Sequence, residues 1–230
     1  MKTEIIYEDK MLLVVRKPAG LAVQTARVAQ ADVASELKNY LKTPYLGVIH
    51  RLDQPVEGLL VFAKTKEAAA ALSGQLGEGL LKKRYYTAIC GKPVAEQGEL
   101  VDYLYKDTKA NRSLVVGQQD KIRYPEAKKA VLRYRLLAYA EEQDRSLLEI
   151  QIDTGRFHQI RAQMAHAGMA LLGDVKYGEA EAKGTSGRQG GDNLALCAYY
   201  LEFQHPAQKK RMCFQIRPEG KAFSCFHYIF

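Results

Sequence analysis

Hydrophobic and polar positions along the chain fall into short segments of two periods, the two-residue period of strands and the 3.6-residue period of helices. Residues 4–8 and 11–16 alternate or run apolar around Glu8-Asp9-Lys10, which predicts a hairpin. Lys17-Pro18-Ala19-Gly20 then breaks the pattern. Over residues 32–42, Val33, Leu37, Tyr40 and Leu41 recur on one helical face, and Pro44 stops the helix. Residues 46–50 and 59–63 predict strands, and Pro55 and Gly58 make a loop of residues 51–58 between them. Thr65 is placed to cap an alanine-rich helix through Leu76, which Gly77 and Gly79 end. From 84 to 151 the pattern is mostly β, with strands at 85–90, 130–137 and 146–151. Residues 157–167 predict a helix with Gly168 at its stop. Residues 183–193 hold four glycines and no apolar side chain, the pattern of a mobile surface loop. Strands near 194–203 and 211–217 close the chain. Strands outnumber helices and several adjoin without a crossover helix, so the pattern favours an α+β or mixed-sheet architecture over a doubly wound parallel one.

Composition narrows the class. With 230 residues, 47% of them hydrophobic and 26% charged, the chain can bury one sizeable core, or two lobes sharing one sheet. No stretch approaches the roughly 20 apolar residues of a membrane span, and the start lacks a long apolar signal segment, so an intracellular protein is expected. Cys90, Cys197, Cys213 and Cys225 show no C-x-x-C spacing and read as buried free thiols of a reducing compartment. The five histidines are scattered, which gives a zinc site little support. The net charge of +8 and pI near 9.2 point to a polyanionic partner such as nucleic acid, against the alternative of a merely basic surface.

Four segments carry groups capable of chemistry. His50-Arg51-Leu52-Asp53 ends an apolar strand, and a loop carboxylate two residues from a guanidinium can be held ionised. Asp153 to Arg161 joins a strand to a helix, where Gly155 permits a sharp turn and the first helical N–H groups are open to an anion. Arg156, His158 and Arg161 cluster there. His158 and Arg161, three apart, fall on one helix face, and Arg161 can pair bidentately with a carboxylate from another segment. Lys82-Lys83-Arg84 precede Tyr85-Tyr86, cations for phosphates and rings for bases, or else a basic strand entrance with alternating tyrosines. Residues 168–178, with Gly173-Asp174 and Gly178, imply close backbone approach but match no phosphate-binding or dinucleotide fingerprint.

In this order the segments resemble the RluA-type pseudouridine synthases over nearly the whole chain. Tyr7-Glu8-Asp9 to Lys17-Pro18-Ala19-Gly20-Leu21 resembles the family's opening, and His50-Arg51-Leu52-Asp53 with residues 58–64 its catalytic motif. Lys83-Arg84-Tyr85 resembles the strand of the active-site tyrosine. Thr154-Gly155-Arg156, His158-Gln159-Ile160-Arg161 and Gly173-Asp174 resemble the third motif, and Leu194-Ala195-Leu196, Phe203 and His205-Pro206 the closing one. Val56-Glu57 departs from the usual Thr-Ser, Thr87 from Ala and His158 from Thr, and Glu57 would bring a negative charge near the nucleophile.

The resemblance implies a single α+β catalytic domain over residues 1–230, a mixed, mostly antiparallel central sheet with flanking helices and a central RNA-binding cleft. It implies that the optional N-terminal S4 domain of the family is absent. It implies an enzyme that detaches uracil from C1′ of a uridine in ribosomal or transfer RNA, rotates it and rejoins it through C5. Asp53 is then the nucleophile, Arg161 its ion-pair partner and Tyr85 the ring stacked on the base. His50, Arg51, Arg156, His158, Lys82, Lys83 and Arg84 are substrate-binding candidates. No metal or cofactor is implied, the partner is RNA, the expected state is a monomer and the expected location the cytoplasm. The alternatives are a non-catalytic RNA-binding protein that keeps the fold, and a hydrolase using Asp53, for which no G-x-S-x-G elbow is present.

Overall fold

The computed structural model describes residues 1–26, 30–178 and 193–230. The predicted loop over residues 183–193, all but its last residue, lies outside the described residues. Two compact units emerge, one of Met1–Arg84 with Cys197–Pro218 and one of Tyr85–Leu196 with Glu219–Phe230.

The first unit contains β1 (Glu4–Glu8), β2 (Leu12–Lys17), α1 (Val33–Leu41), β3 (Gly47–Val48), β4 (Glu57–Ala63) and α2 (Lys66–Gly77). It takes in the start of β5 (Lys82–Cys90), nearly all of β10 (Leu196–Gln204) and β11 (Arg211–Gln215). Its strand order is β1-β2-β4-β10, with β3 also on β4 and β11 on β10. β4 and β10 run parallel, while β1–β2, β2–β4, β3–β4 and β10–β11 run antiparallel. Every residue of β4 is buried, because its apolar run is covered on both faces. Leu12, Val14, Leu59, Val61, Ala68, Leu72, Leu201 and Phe203 form one core cluster beneath α2. Asp32 caps α1 by accepting the Ser35 N–H at 2.7 Å, and Thr65 caps α2 through the Ala68 N–H at 3.1 Å.

Two boundaries and one helix-face position depart from the pattern. The strand expected at 46–50 pairs only at Gly47–Val48, and β4 begins at Glu57, inside the expected loop. Gly58 is the reason β4 can start there. Its φ is +140°, and a Cβ would stand 2.5 Å from the Ala198 Cβ and 2.6 Å from the Ala198 nitrogen, so only glycine lets β10 lie this close. In α1, Val33 and Leu37 are buried as expected, but Tyr40 is exposed and donates to Glu8 at 3.1 Å.

The second unit holds the rest of β5 with β6 (Gln97–Asp107), β7 (Arg112–Val116), β8 (Lys128–Ala140), β9 (Arg145–Ile152) and α3 (Gln159–His166). The order is β5-β9-β8-β6-β7, and β6–β7, β6–β8 and β8–β9 are antiparallel neighbours, the first and last of these pairs joined by short connections. The α+β class with a mixed, mostly antiparallel sheet is the observed one. β6 and β7 fill the stretch that read only as generally β. α3 packs on β6, β7 and β8, with Leu104, Ala130 and Ala162 buried together. It starts at Gln159 rather than 157, because His158 takes a left-handed conformation (φ +49°) that a helix interior excludes. Gly168, at φ +75°, follows its end as expected.

No disulfide joins the four cysteines, and only Cys197 is buried. Strand alternation turns Cys90 and Cys213 outward, which corrects the expectation of buried thiols. Among the described residues, no helix is long and apolar enough to cross a membrane.

Candidate active site

In the first unit, Asp53 lies half-buried on the loop leading into β4, where the Val56 N–H donates to its carbonyl at 3.0 Å and closes a turn. The loop is held by a group that read in sequence only as part of a turn. Lys17, the last residue of β2, is fully buried. Its ammonium donates to the carbonyls of Pro18 at 3.0 Å, Leu21 at 2.6 Å and Gln54 at 3.0 Å. Gly20 and Gln54 exchange two further bonds, Gly20 N–H to the Gln54 carbonyl at 2.9 Å and Gln54 Nε2 to the Gly20 carbonyl at 3.0 Å. One ammonium thus knots the Lys17–Gly20 turn to the residue after Asp53. Burial pushes the Lys17 pKa down to about 8, against the opposing pull of the Asp53 and Glu57 carboxylates. The available signal was period: Leu13, Val15 and Lys17 share one strand face, and the first two are core residues.

Three expectations for this unit change. Glu57 does not stand in a loop. It is buried within β4, 3.7 Å from the Arg16 guanidinium, so its charge is sequestered. His50 is 6% exposed and its Nε2 accepts the Val61 N–H at 3.3 Å, while burial and the Lys83 charge hold its pKa well below the usual histidine value. Buried and neutral, it ties the Asp53 loop to β4, while Arg51 beside it is exposed. The three cations of Lys82-Lys83-Arg84 do not form one patch. Lys82 and Arg84 point outward, Arg84 5.1 Å over the Tyr200 ring, and Lys83 points the other way, where burial lowers its pKa.

In the second unit, the turn from β9 into α3 is stitched by Gln159. Its Oε1 accepts from Thr154 Oγ1 at 2.8 Å and the Arg156 N–H at 3.0 Å, and its Nε2 donates to the Val131 carbonyl at 3.0 Å. The Arg156 N–H is therefore occupied rather than open to an anion. Arg156 itself is exposed, with Nε on the Lys129 carbonyl at 3.0 Å. His158 precedes the helix, so it does not share a helical face with Arg161 as its spacing predicted. Its ring stacks on Phe157 at 3.8 Å and its Nδ1 lies 2.9 Å from the Tyr177 hydroxyl. Burial first, then the Arg161 charge, depress its pKa to about 3, so it stays neutral near pH 7.

Arg161 is 5% exposed and makes the bidentate pair its position allowed. Nε donates to Asp174 Oδ2 and Nη2 to Asp174 Oδ1, both at 2.8 Å, with the Tyr177 ring 5.1 Å from the guanidinium carbon. Asp174 also accepts the Lys176 and Tyr177 N–H groups at 3.0 and 3.1 Å. The segment carrying it is sewn to β5, Leu172 N–H to the Ala88 carbonyl at 2.9 Å and Leu171 bridging Ile89. Tyr85 is 4% exposed on that same β5. Asp174 as the partner that aims Arg161 was missed, because a separation of 13 residues hides the contact from any local pattern.

A family model described as RNA pseudouridylate synthase matches residues 11–166. The ribosomal large subunit pseudouridine synthase D of Zymomonas mobilis is 33% identical over 222 residues, 92% of this chain and 68% of that protein. The dual-specificity RNA pseudouridine synthase RluA of Vibrio parahaemolyticus is 33% identical across 89% of this chain and 78% of its own length. The tRNA pseudouridine synthase C of Haemophilus ducreyi is 31% identical across 90% and 87%. Human RNA pseudouridylate synthase domain containing 1 shares the fold, with a TM-score of 0.75 at 21% identity over 94% of this chain and 83% of that chain. The chain belongs to the RNA pseudouridine synthase family, in its RluA-type branch.

Proposed function

We propose that this protein isomerises uridine to pseudouridine in ribosomal or transfer RNA, with Asp53 as the nucleophile. The bond from N1 to C1′ breaks and a bond from C5 to C1′ forms. The proton that leaves C5 is balanced by one taken up at N1, so the reaction needs no oxidant, metal or carrier. The observation that carries the reading is the carboxylate of a pseudouridine synthase motif on a loop knotted by a buried ammonium. A fixed nucleophile spends little energy on reorganisation as it attacks. Arg161, itself fixed by Asp174, and Tyr85 are assigned with Asp53 to the catalytic set, the guanidinium as the cation and the ring as the group for the base. Arg51, Arg156, Lys82 and Arg84 are assigned to the RNA, whose target uridine leaves its stack to react. The enzyme is assigned as a monomer that acts in the cytoplasm.

Release of tritium from C5-labelled uridine in RNA measures the reaction. Asp53→Asn keeps the side-chain volume but removes the nucleophile. It is expected to abolish release while RNA binding survives; release near the wild-type rate refutes the assignment. Binding with no release by the wild-type protein leaves an RNA-binding protein that only keeps the fold.

A further inference from the structure

Cations on the second unit are of two kinds. Arg133 sits 2.7 Å from Glu99 and 2.8 Å from Asp153, and Arg135 3.3 Å from Glu149. Lys106, Lys128, Arg156 and Lys176 instead pair with no carboxylate among the described residues. Lys106 stands 4.8 Å over the Phe157 ring, Arg156 rests on the Lys129 carbonyl, and Lys176 donates to the Asn111 carbonyl at 2.8 Å.

The register gathers them at one place. Leu104 and Ala130 pack against Ala162 of α3, so alternation puts Lys106 and Lys128 on that same sheet face. Lys128 lies directly across from Leu104 in the β6–β8 ladder. The Ser113 hydroxyl donates to the Phe157 carbonyl, and Ser113 is the register partner of Lys106, which brings the start of α3 to the same strand end. Lys176 reaches the turn between β6 and β7. The acids of the region are mostly engaged elsewhere. Among the described residues, Asp107 caps that turn through the Lys109 and Ala110 N–H groups, Asp102 takes Gln163, Asp174 holds Arg161 and Asp153 pairs with Arg133, while Glu126 stands exposed in the turn before β8.

We infer that Lys106, Lys128, Arg156 and Lys176 form a phosphate-binding face at the entrance to α3, which takes backbone phosphates of the RNA substrate. The inference rests on the proposed RNA substrate, and it adds three lysines that no motif contains. An unpaired cation held over an aromatic ring or a carbonyl loses little on meeting a phosphate, since it breaks no ion pair to do so.

The test is the joint substitution Lys106→Ala, Lys128→Ala and Lys176→Ala, compared with Lys10→Ala, Lys42→Ala and Lys66→Ala, which removes equal charge from exposed positions of the first unit. Binding of a fluorescein-labelled RNA hairpin is followed by anisotropy across a salt series. The face variant is expected to bind at least tenfold more weakly, and its slope of log affinity against log salt to flatten by about 2–3, at roughly 0.7–0.9 per phosphate released. The control variant, at positions outside the proposed face, is expected to keep the wild-type slope and the wild-type rate of tritium release. Equal slopes for the two variants overturn the face while leaving the proposed reaction standing. Wild-type binding without tritium release overturns the reaction and leaves the face.

Discussion

Replacing Lys17 by methionine separates the two roles of a buried ammonium. The substitution keeps the unbranched stem inside the core and removes the charge. Holding Lys17 charged in the folded protein is costly: a pKa lowered from 10.5 to about 8 corresponds to about 3 kcal/mol, which methionine recovers. Against that, the carbonyls of Pro18 and Leu21 lose their side-chain donor, at about 1–3 kcal/mol each, and the Gln54 carbonyl loses one of its two donors and keeps the Gly20 N–H. The loss outweighs the gain, and Lys17→Met is expected to be less stable by about 2–4 kcal/mol near pH 7. The difference depends on pH with a definite sign. Because the folded pKa lies below the unfolded one, the unfolded chain holds more protons between about pH 8 and 10.5, so the lysine protein gains stability with rising pH across that window. At pH 9 the gain is about 1.4 kcal/mol, and at pH 7 it is close to zero. Urea unfolding of both proteins at the two pH values measures the gap, in which other titrating groups cancel. A gap that stays constant, or a variant as stable as the parent, refutes the reasoning. The same variant is expected to lower the turnover number more than it raises KM, since the loop it loosens carries Asp53.

Two further substitutions test the packing of each unit. Gly58→Ala places a methyl group within 2.6 Å of Ala198 at a φ that disfavours side chains, and is expected to cost more than about 2 kcal/mol; a thermal midpoint within a degree of wild type excludes the close approach of β4 and β10. Asp174→Ala leaves the buried Arg161 guanidinium without its bidentate partner, at about 3–5 kcal/mol by urea unfolding; a loss below about 1 kcal/mol contradicts the pair as the anchor of Arg161.

The chain's periodicity alone settled most of the element types. The hairpin of β1 and β2, helices α1 and α2 with their caps Asp32 and Thr65, and the strands β10 and β11 follow from local spacing and turn chemistry, which act within a few residues. The motif order was legible too, because the family's segments lie in sequence order along the chain. What local spacing cannot encode is who covers whom. Gly58 reads as a loop residue until β10 arrives beside it and makes it a strand residue. Lys82-Lys83-Arg84 read as one basic run until pleating sends Lys83 to the opposite face. His158 and Arg161 read as helix neighbours until the Gln159 side chain, bonded to Val131 across the sheet, sets where the helix begins. The partners of Lys17 and Arg161 were likewise decided by tertiary structure, since a buried charge takes whatever acceptors folding brings to it. Those acceptors lie up to 37 residues away in one case and 13 in the other.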